Sequence, residues 1–348
     1  MLAGLAALGV AGWGIEAGLR LPGDGTAVPP SGHLPDRAPL LLHVNAPLLP
    51  AALLRLPRRR RVIGHWAWEL PTMPASWHAG ARFVHEVWVP SRFTAAVEAL
   101  APGRVRVVPP PLAASPPRPA ALDRTAFGLP PDAVVTLASF NLASSFARKN
   151  PLGAIAAHRA ASGERADRLL LLKLTHPEHF PADFARLRAA IGGAANIRLE
   201  TRTLPAADSH ALTACCDVVL SLHRSEGLGL VPAEAMLLGL PVVATGWSGN
   251  MDYMDADCAA LVGFTLVPAR DPRGVFEAPG AHWAEPSVAE AAAHLRRLAG
   301  DPEARAGLGE RGRAAVLARL GTAPLAAALR GIGLLAGPAI RGDRDNRP

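Results

Sequence analysis

Cysteine is nearly absent: Cys215, Cys216 and Cys258 are the whole complement. Two of them are adjacent and no CxxC spacing occurs, so the set gives neither a disulfide framework nor a cysteine metal site. It suits a reducing, cytoplasmic compartment, and inert core thiols are the plainest reading of all three. Tyrosine occurs once and aromatics make up 5% of the chain. Basic clusters such as Arg58-Arg59-Arg60-Arg61 therefore lack the interleaved rings of a nucleic-acid surface, and no nucleic-acid partner is expected. Long apolar runs are missing too. The apolar stretch Met1 to Val10 is far short of the ~20 residues a bilayer-spanning helix needs. Without a basic leader it does not read as a signal peptide. There is no internal repeat and no long low-complexity tract.

What remains is a chain of 348 residues, half of them hydrophobic, enough for two ordinary domains with their own cores. The net charge of +7 comes from 36 basic and 29 acidic side chains. That modest excess suits nucleotide phosphates or peripheral contact with an anionic membrane surface. Alanine, arginine, proline and glycine are heavily used and lysine is rare, which reads as genomic bias.

The stretch from Asp217 to Asp252 organises the chain. Val218-Val219-Leu220 has the pattern of a buried parallel strand. A polar turn, Ser221 to Gly229, leads into a helix from Leu230 to Leu238, stopped by Gly239 and Pro241. A second buried strand, Pro241 to Thr245, ends in the turn Gly246 to Asn250. In such a βαβ unit both loops lie at the carboxyl ends of strands, where open α/β sheets bind ligands. Glu226 sits in the first loop and Glu234 on the helix, eight positions apart. Gly227 and Gly229 let backbone N–H groups of Leu228, Gly229 and Leu230 approach a ligand, and the helix N-terminus favours an anion. A carboxylate beside an anion site binds hydroxyls, because like charges repel. A ligand both anionic and hydroxyl-rich, such as a nucleotide-diphosphate-sugar, meets both requirements.

The segment SEGLGLVPAEAMLLGLPVVAT, with its Glu-x7-Glu spacing, resembles the signature of retaining GT-B glycosyltransferases of the family 4, or glycosyl transferases group 1, type. SLHRSEGLGL is similar to a bacterial subgroup that builds cell-surface polysaccharide. RKNP, GHWAWELPTMPASW, EVWVPSRF, SGNMDYM and HWAEPSVAEAA extend the likeness over roughly residues 40–317. The resemblance implies an α/β chain with two Rossmann-like domains facing a cleft. Residues 1–124 would form the acceptor-side domain, 125–285 the donor domain, and 286–338 helices that brace the two. Family members begin with a strand and a Gly-rich turn. No such strand precedes the Gly-interrupted helix expected over Leu2 to Leu19, so the first domain is expected to be shortened. Gly12 and Gly14 read equally as a remnant of that turn or as helix packing. The resemblance further implies that Arg148 and Lys149 hold the donor pyrophosphate, Glu234 the ribose and Glu226 the donor sugar. Ser248, Gly249, Asn250 and, more weakly, Thr203 would complete the donor site. It implies retention of configuration and no metal or other cofactor.

Taken in order, strands are expected at Leu40–Val44, Val62–Trp66, Glu86–Pro90 and Val105–Val108. Ser91 reads as the N-cap of a helix, Arg92 to Leu100. In GHWAWEL, His65 and Glu69 form a pair that could steer an acceptor hydroxyl. The tryptophans could stack on sugars, although tryptophan is more often core. The triple proline at Pro109 and the stretch Ala113 to Arg124 read as a linker. Strands follow at Val134–Ala138, Leu169–Leu174, Ile197–Thr201 and Ala259–Thr265. Pro151 suits a helix start, which puts Arg148 and Lys149 beside a helix N-terminus, a diphosphate site. Asn141 stands where relatives often carry aspartate. HWAEPS introduces a helix, Val288 to Leu298. Asp255-Ala-Asp257 is an Asp-x-Asp of the type that holds metal diphosphates in another glycosyltransferase architecture, but its late place in a loop favours plain solvation. The function expected is transfer of a sugar to a saccharide or lipid-linked acceptor, at the inner face of the cell membrane or in the cytoplasm. A glucan phosphorylase is disfavoured for want of a cofactor lysine. An inactive or truncated GT-B-like binding or regulatory protein is the alternative of a different class.

Overall fold

The computed structural model describes residues 1–12, 14, 38–54, 56, 60–336. Of the helix expected over Leu2–Leu19, only Leu2–Ala7 is helical before the chain turns at Gly9; residues 13 and 15–19, and Arg58 and Arg59, lie outside the described residues. Four parallel strands form a first sheet in the order β1-β2-β3-β4: β1 Leu40–Leu42, β2 Val62–His65, β3 Glu86–Val89 and β4 Val105–Val107. A second, six-stranded sheet contains β5 Val134–Asn141, β6 Arg168–Thr175, β7 Ile197–Glu200, β8 Val218–Ser221, β9 Val242–Thr245 and β10 Ala260–Val262. It is parallel throughout, in the order β10-β9-β8-β5-β6-β7. The helices are α1 Leu2–Ala7, α2 Leu49–Leu53, α3 His78–Ala81, α4 Phe146–Lys149, α5 Pro151–Ser162, α6 Pro181–Ile191, α7 Ala206–Ala214, α8 Leu230–Leu237, α9 Val288–Gly300, α10 Pro302–Arg319 and α11 Ala323–Gly331.

The second sheet shows why its strands read as continuous apolar runs. Leu170, Leu172 and Leu174 of β6 pack on one face with α5, α6 and α9. Leu169 and Leu171 pack on the other with residues of α7, α8 and α10. Alternating side chains are thus buried on both faces, as parallel sheets require. The chain runs β5, β6, β7 outward on one side and then returns to place β8 beside β5 on the other. That reversal opens a crevice at the carboxyl ends of β5 and β8, the switch point where α/β sheets take ligands.

Several elements differ from expectation. The strand expected over Ala259–Thr265 breaks at Gly263: β10 stays in the parallel sheet, whereas β11, Phe264–Pro268, pairs antiparallel with β12, His282–Pro286. HWAEP is therefore a strand, and the helix begins after it at Ser287, whose Oγ accepts from the Glu290 N–H. The segment between β11 and β12 carries Phe276 into the core of the first domain, where it joins Trp66, Trp68, Trp77 and Trp283. Those tryptophans are core residues. Arg92–Leu100 is not an α-helix but a 3-10 turn over Thr94–Ala99. The other face of the first sheet packs Ile63 and Trp88 against Leu325 and Leu329 of α11, so the last helix crosses back onto the first domain. Among the described residues no helix is long and apolar enough to cross a membrane.

The α10 helix meets the α8–β9 turn with no room to spare. A Cβ on Gly309 would lie 1.9 Å from the Gly239 carbonyl oxygen, whereas one on Gly307 would meet only the end of the Arg311 side chain. Helix propensity favours alanine over glycine by about 1 kcal/mol at both positions, while overpacking costs ~1–3 kcal/mol. Gly309→Ala is therefore expected to lower the midpoint of denaturant unfolding and Gly307→Ala to leave it unchanged or raise it. Equal shifts in the two variants would show that this contact is not tight.

Candidate functional site

Two loops meet at the switch point. The first follows β5. Asn141 Oδ1 accepts from Ala143 N–H, and Ser145, held at φ 76°, accepts from Arg148 N–H through its Oγ and donates to Asp271. Asn150 sits in the left-handed region, and its Oδ1 accepts from Gly153 N–H, which caps α5. Arg148 and Lys149 thus stand immediately before that helix. The second loop, Leu222–Gly229, follows β8 and ends in Gly229, at φ 85°, which opens α8. Its carbonyl accepts from the Tyr253 hydroxyl at 2.6 Å.

Arg148 is almost wholly buried at 2% exposure. It donates to the carbonyls of Ser225 (2.8 Å) and Ser144 (2.9 Å) and lies 4.8 Å from the Phe276 ring centre. Its guanidinium reaches Glu226 at 3.3 Å and Glu69, from the first domain, at 3.7 Å. Lys149 Nζ donates to the same Glu226 oxygen at 2.5 Å. Burial raises the pKa of Glu226, but the charges of Lys149, Arg148 and His223 outweigh it and bring the value down to about 2. Glu69 moves the other way: burial dominates, the neighbouring Glu226 adds to it, and its carboxyl is raised despite Arg148 and Lys149. Two glutamates around one arginine thus have environments that separate their proton affinities.

A second set of residues holds Glu226 in place. Its N–H donates to Ser248 Oγ at 2.8 Å, and its carbonyl accepts from Gly249 N–H. A Cβ on Gly249 would fall 2.2 Å from the Gly227 oxygen, so the two turns interlock only with glycine there. Buried His223 engages Ser221 Oγ, Trp247 C=O and Asn250 Oδ1, and Asn250 Nδ2 donates to Thr245 C=O. Ser248 and Asn250 therefore act on the Glu226 loop from behind. The Gly227 carbonyl accepts from Ser91 Oγ (2.5 Å) and Thr94 Oγ1 (3.2 Å) of the first domain. Ser91 does accept from Thr94 N–H as a cap would, but it also joins the two domains.

Lys149, Glu226, Gly229 and Leu230 line a small pocket of about 20 Å³ with Ser139, Pro151 and Ser221. Leu228 is buried beside it. Glu234 is half-buried on α8, its carboxyl raised by burial and opposed by His210 of α7. Thr203 is exposed in the loop after β7 and lines no part of this pocket. His65 and Glu69 are not a pair: His65 packs on His43 at 4.5 Å between ring centres and contacts Val108 C=O at 3.3 Å, while Glu69 faces Arg148. Asp255 accepts from Arg319 and from the N–H groups of Asp257 and Cys258, a tied surface turn. Ser91, Thr94, His223, Tyr253 and Phe276 were not singled out from sequence as site residues. The SLHRSEG phrase contains His223, but its role needs the Gly246–Asn250 turn to be placed in space.

Glu226 neutralises Arg148 and Lys149, and removing one partner of a buried pair typically costs ~3–5 kcal/mol. Glu226→Gln is expected to lose stability at neutral pH. Because the folded pKa is depressed, the stability that Glu226 contributes is present above the unfolded glutamate value of about 4.3 and vanishes as pH falls towards 2. The variant's disadvantage should therefore shrink over that window. With the competing charge gone, it should also bind inorganic pyrophosphate roughly tenfold more tightly. Weaker pyrophosphate binding would show that the two cations do not face the anion site.

Residues 176–280 match the family model described as glycosyl transferases group 1. No curated protein sequence matches the chain. Among solved structures, the sucrose-phosphate synthase of Thermosynechococcus elongatus is 18% identical, with a TM-score of 0.60 over 84% of this chain and 73% of that one. Anabaena HepE, in complex with UDP and glucose, is 17% identical, with a TM-score of 0.55 over 79% and 71%. A mutant of S. aureus TarM in complex with Fondaparinux, alpha-GlcNAc-glycerol and UDP is 11% identical, with a TM-score of 0.57 over 84% of this chain and 54% of that one. The chain thus spans about half the length of TarM. The two parallel sheets and their cleft are those of the GT-B fold, and the segment 176–280, which carries the Glu226 loop and α8, has the sequence pattern of glycosyl transferases group 1.

Proposed function

We propose that the protein is a metal-independent, retaining glycosyltransferase that moves a sugar from a nucleotide-diphosphate-sugar to a saccharide or lipid-linked acceptor. The observation that carries this reading is the Arg148–Lys149–Glu226 cluster at the switch point, beside the N-terminus of α8. Departure of a diphosphate leaves negative charge, and the two cations with the N–H groups of Leu228, Gly229 and Leu230 would stabilise it. Loss of one such donor typically costs 10²–10³ in rate. Glu226 would hold donor-sugar hydroxyls once the diphosphate draws Lys149 and Arg148 away, and Glu234 would hold the ribose. Ser248, Gly249 and Asn250 would serve this site by positioning Glu226. On the opposite wall Glu69, whose carboxyl pKa is raised by burial, would contact a hydroxyl of the acceptor. UDP complexes of HepE and TarM make UDP the first nucleotide to try. The resemblance to polysaccharide-building enzymes and the basic net charge support a role in cell-surface polysaccharide synthesis, in the cytoplasm or against the anionic inner face of the membrane.

Calorimetry with UDP, GDP and ADP, without metal, tests the reading. One nucleotide is expected to bind, and Glu234→Ala should weaken it by at least about tenfold through loss of the hydrogen bonds to ribose. Failure of all three to bind would leave the chain as a GT-B-like binding or regulatory protein without a donor site. Glu69→Gln separates the two sides of the cleft: nucleotide affinity should be retained while transfer to acceptor falls. Loss of nucleotide binding in Glu69→Gln would instead place Glu69 in the donor site.

A further inference from the structure

On the rim of the donor sheet, the turn after β6 gathers three side chains with metal-binding chemistry. His176 leaves the strand in the left-handed conformation, at φ 61° and ψ 43°, and Pro177–His179 form one 3-10 turn. His176 precedes this turn and His179 ends it, and their rings lie 5.7 Å apart. Glu178 reaches between them. Its Oε1 is 3.5 Å from His176 Nδ1 and 3.4 Å from His179 Nε2. The three ligand atoms all lie within 4.8 Å of one another, the one such trio among the described residues.

We propose that His176, Glu178 and His179 form a surface site for a borderline divalent cation of the zinc class. Zinc binds imidazole nitrogen and carboxylate oxygen at about 2.0–2.2 Å, so the edges of its tetrahedron measure roughly 3.4 Å. Two of the three edges already have that length, and closing the third needs only side-chain rotation. Two imidazoles and one carboxylate select zinc, cobalt or copper over the oxygen-seeking magnesium and calcium. All three side chains are between 45% and 68% exposed, so water can complete the coordination.

The site has a structural neighbour. Phe180, the next residue, lies 4.5 Å beneath the Arg273 guanidinium, and Arg273 donates to Leu142 C=O at the start of the loop that carries Arg148. The cation site uses none of the residues assigned to sugar transfer and is independent of that reading.

The test is titration of the untagged full chain with zinc chloride by calorimetry, and with cobalt(II) by visible absorption. One equivalent should bind, with cobalt giving the intense bands of a four-coordinate ion. Loss of an outer-shell partner alone costs 10–100-fold in metal affinity, so His176→Ala and His179→Ala should each cost at least tenfold. His78→Ala, which removes an exposed histidine elsewhere, should change nothing. Failure of the chain to bind either metal overturns the proposal. So does binding that survives both substitutions, since the ion would then sit elsewhere. All variants alter exposed side chains, and their melting curves in chelator should coincide with that of the parent.

Discussion

A buried guanidinium has to find partners within the protein, and Arg148 draws them from four separate pieces of the chain. An isolated charge in a protein interior costs several kcal/mol even after relaxation. The Ser144 and Ser225 carbonyls, the Glu226 and Glu69 carboxylates and the face of Phe276 divide that cost among them. They come from four segments: Ser144 from the loop after β5, Ser225 and Glu226 from the loop after β8, Glu69 from the turn after β2 and Phe276 from the excursion between β11 and β12. Placing one side chain therefore fixes four segments relative to one another, two of them built against the first domain.

This explains why the excursion between β11 and β12 leaves the donor sheet at all. Phe276 and Trp283 bury their rings among Trp68 and Trp77, and the ring of Phe276 covers the guanidinium. Arg224, within the loop after β8, pairs with Glu285 of β12 and so ties the hairpin back to that loop. Asp271, which accepts from Ser145 Oγ and from the N–H of Phe276, joins the same excursion to the loop that bears Arg148. The apolar packing supplies the area and the polar contacts supply the register.

The sequence made local units legible and left meetings between distant units hidden. The βαβ unit from Val218 to Thr245 could be read because its two strands are uninterrupted apolar runs and its helix is stopped by glycine and proline. Arg148 and Lys149 could be placed beside a helix start because Pro151 announces one. The separation of His65 from Glu69 could not be read. The chain from Trp66 to Leu70 is in no regular element, so a spacing of four does not put the two side chains on one face. His65 turns towards His43 within its own sheet while Glu69 crosses to Arg148. The 3-10 turn at Thr94–Ala99 escaped for a similar reason. Ser91 is a good cap in sequence, but its hydroxyl is also drawn to the Gly227 carbonyl, a partner 136 residues away.

That last contact also bears on how the cleft works. The Gly227 carbonyl accepts two hydroxyls from the first domain, while the N–H groups that follow it lead into α8. A peptide group held at its carbonyl by the first domain presents the next N–H, that of Leu228, in a fixed direction. Arg92, one residue on from Ser91, pairs with Asp252 at the end of the Ser248–Asn250 turn that supports Glu226 from behind. The first domain thus touches both turns that shape the Glu226 loop, and Glu69 touches the arginine between them. Ser91, Thr94, Arg92 and Glu69 tie the first domain to the Glu226 loop and its support at four points.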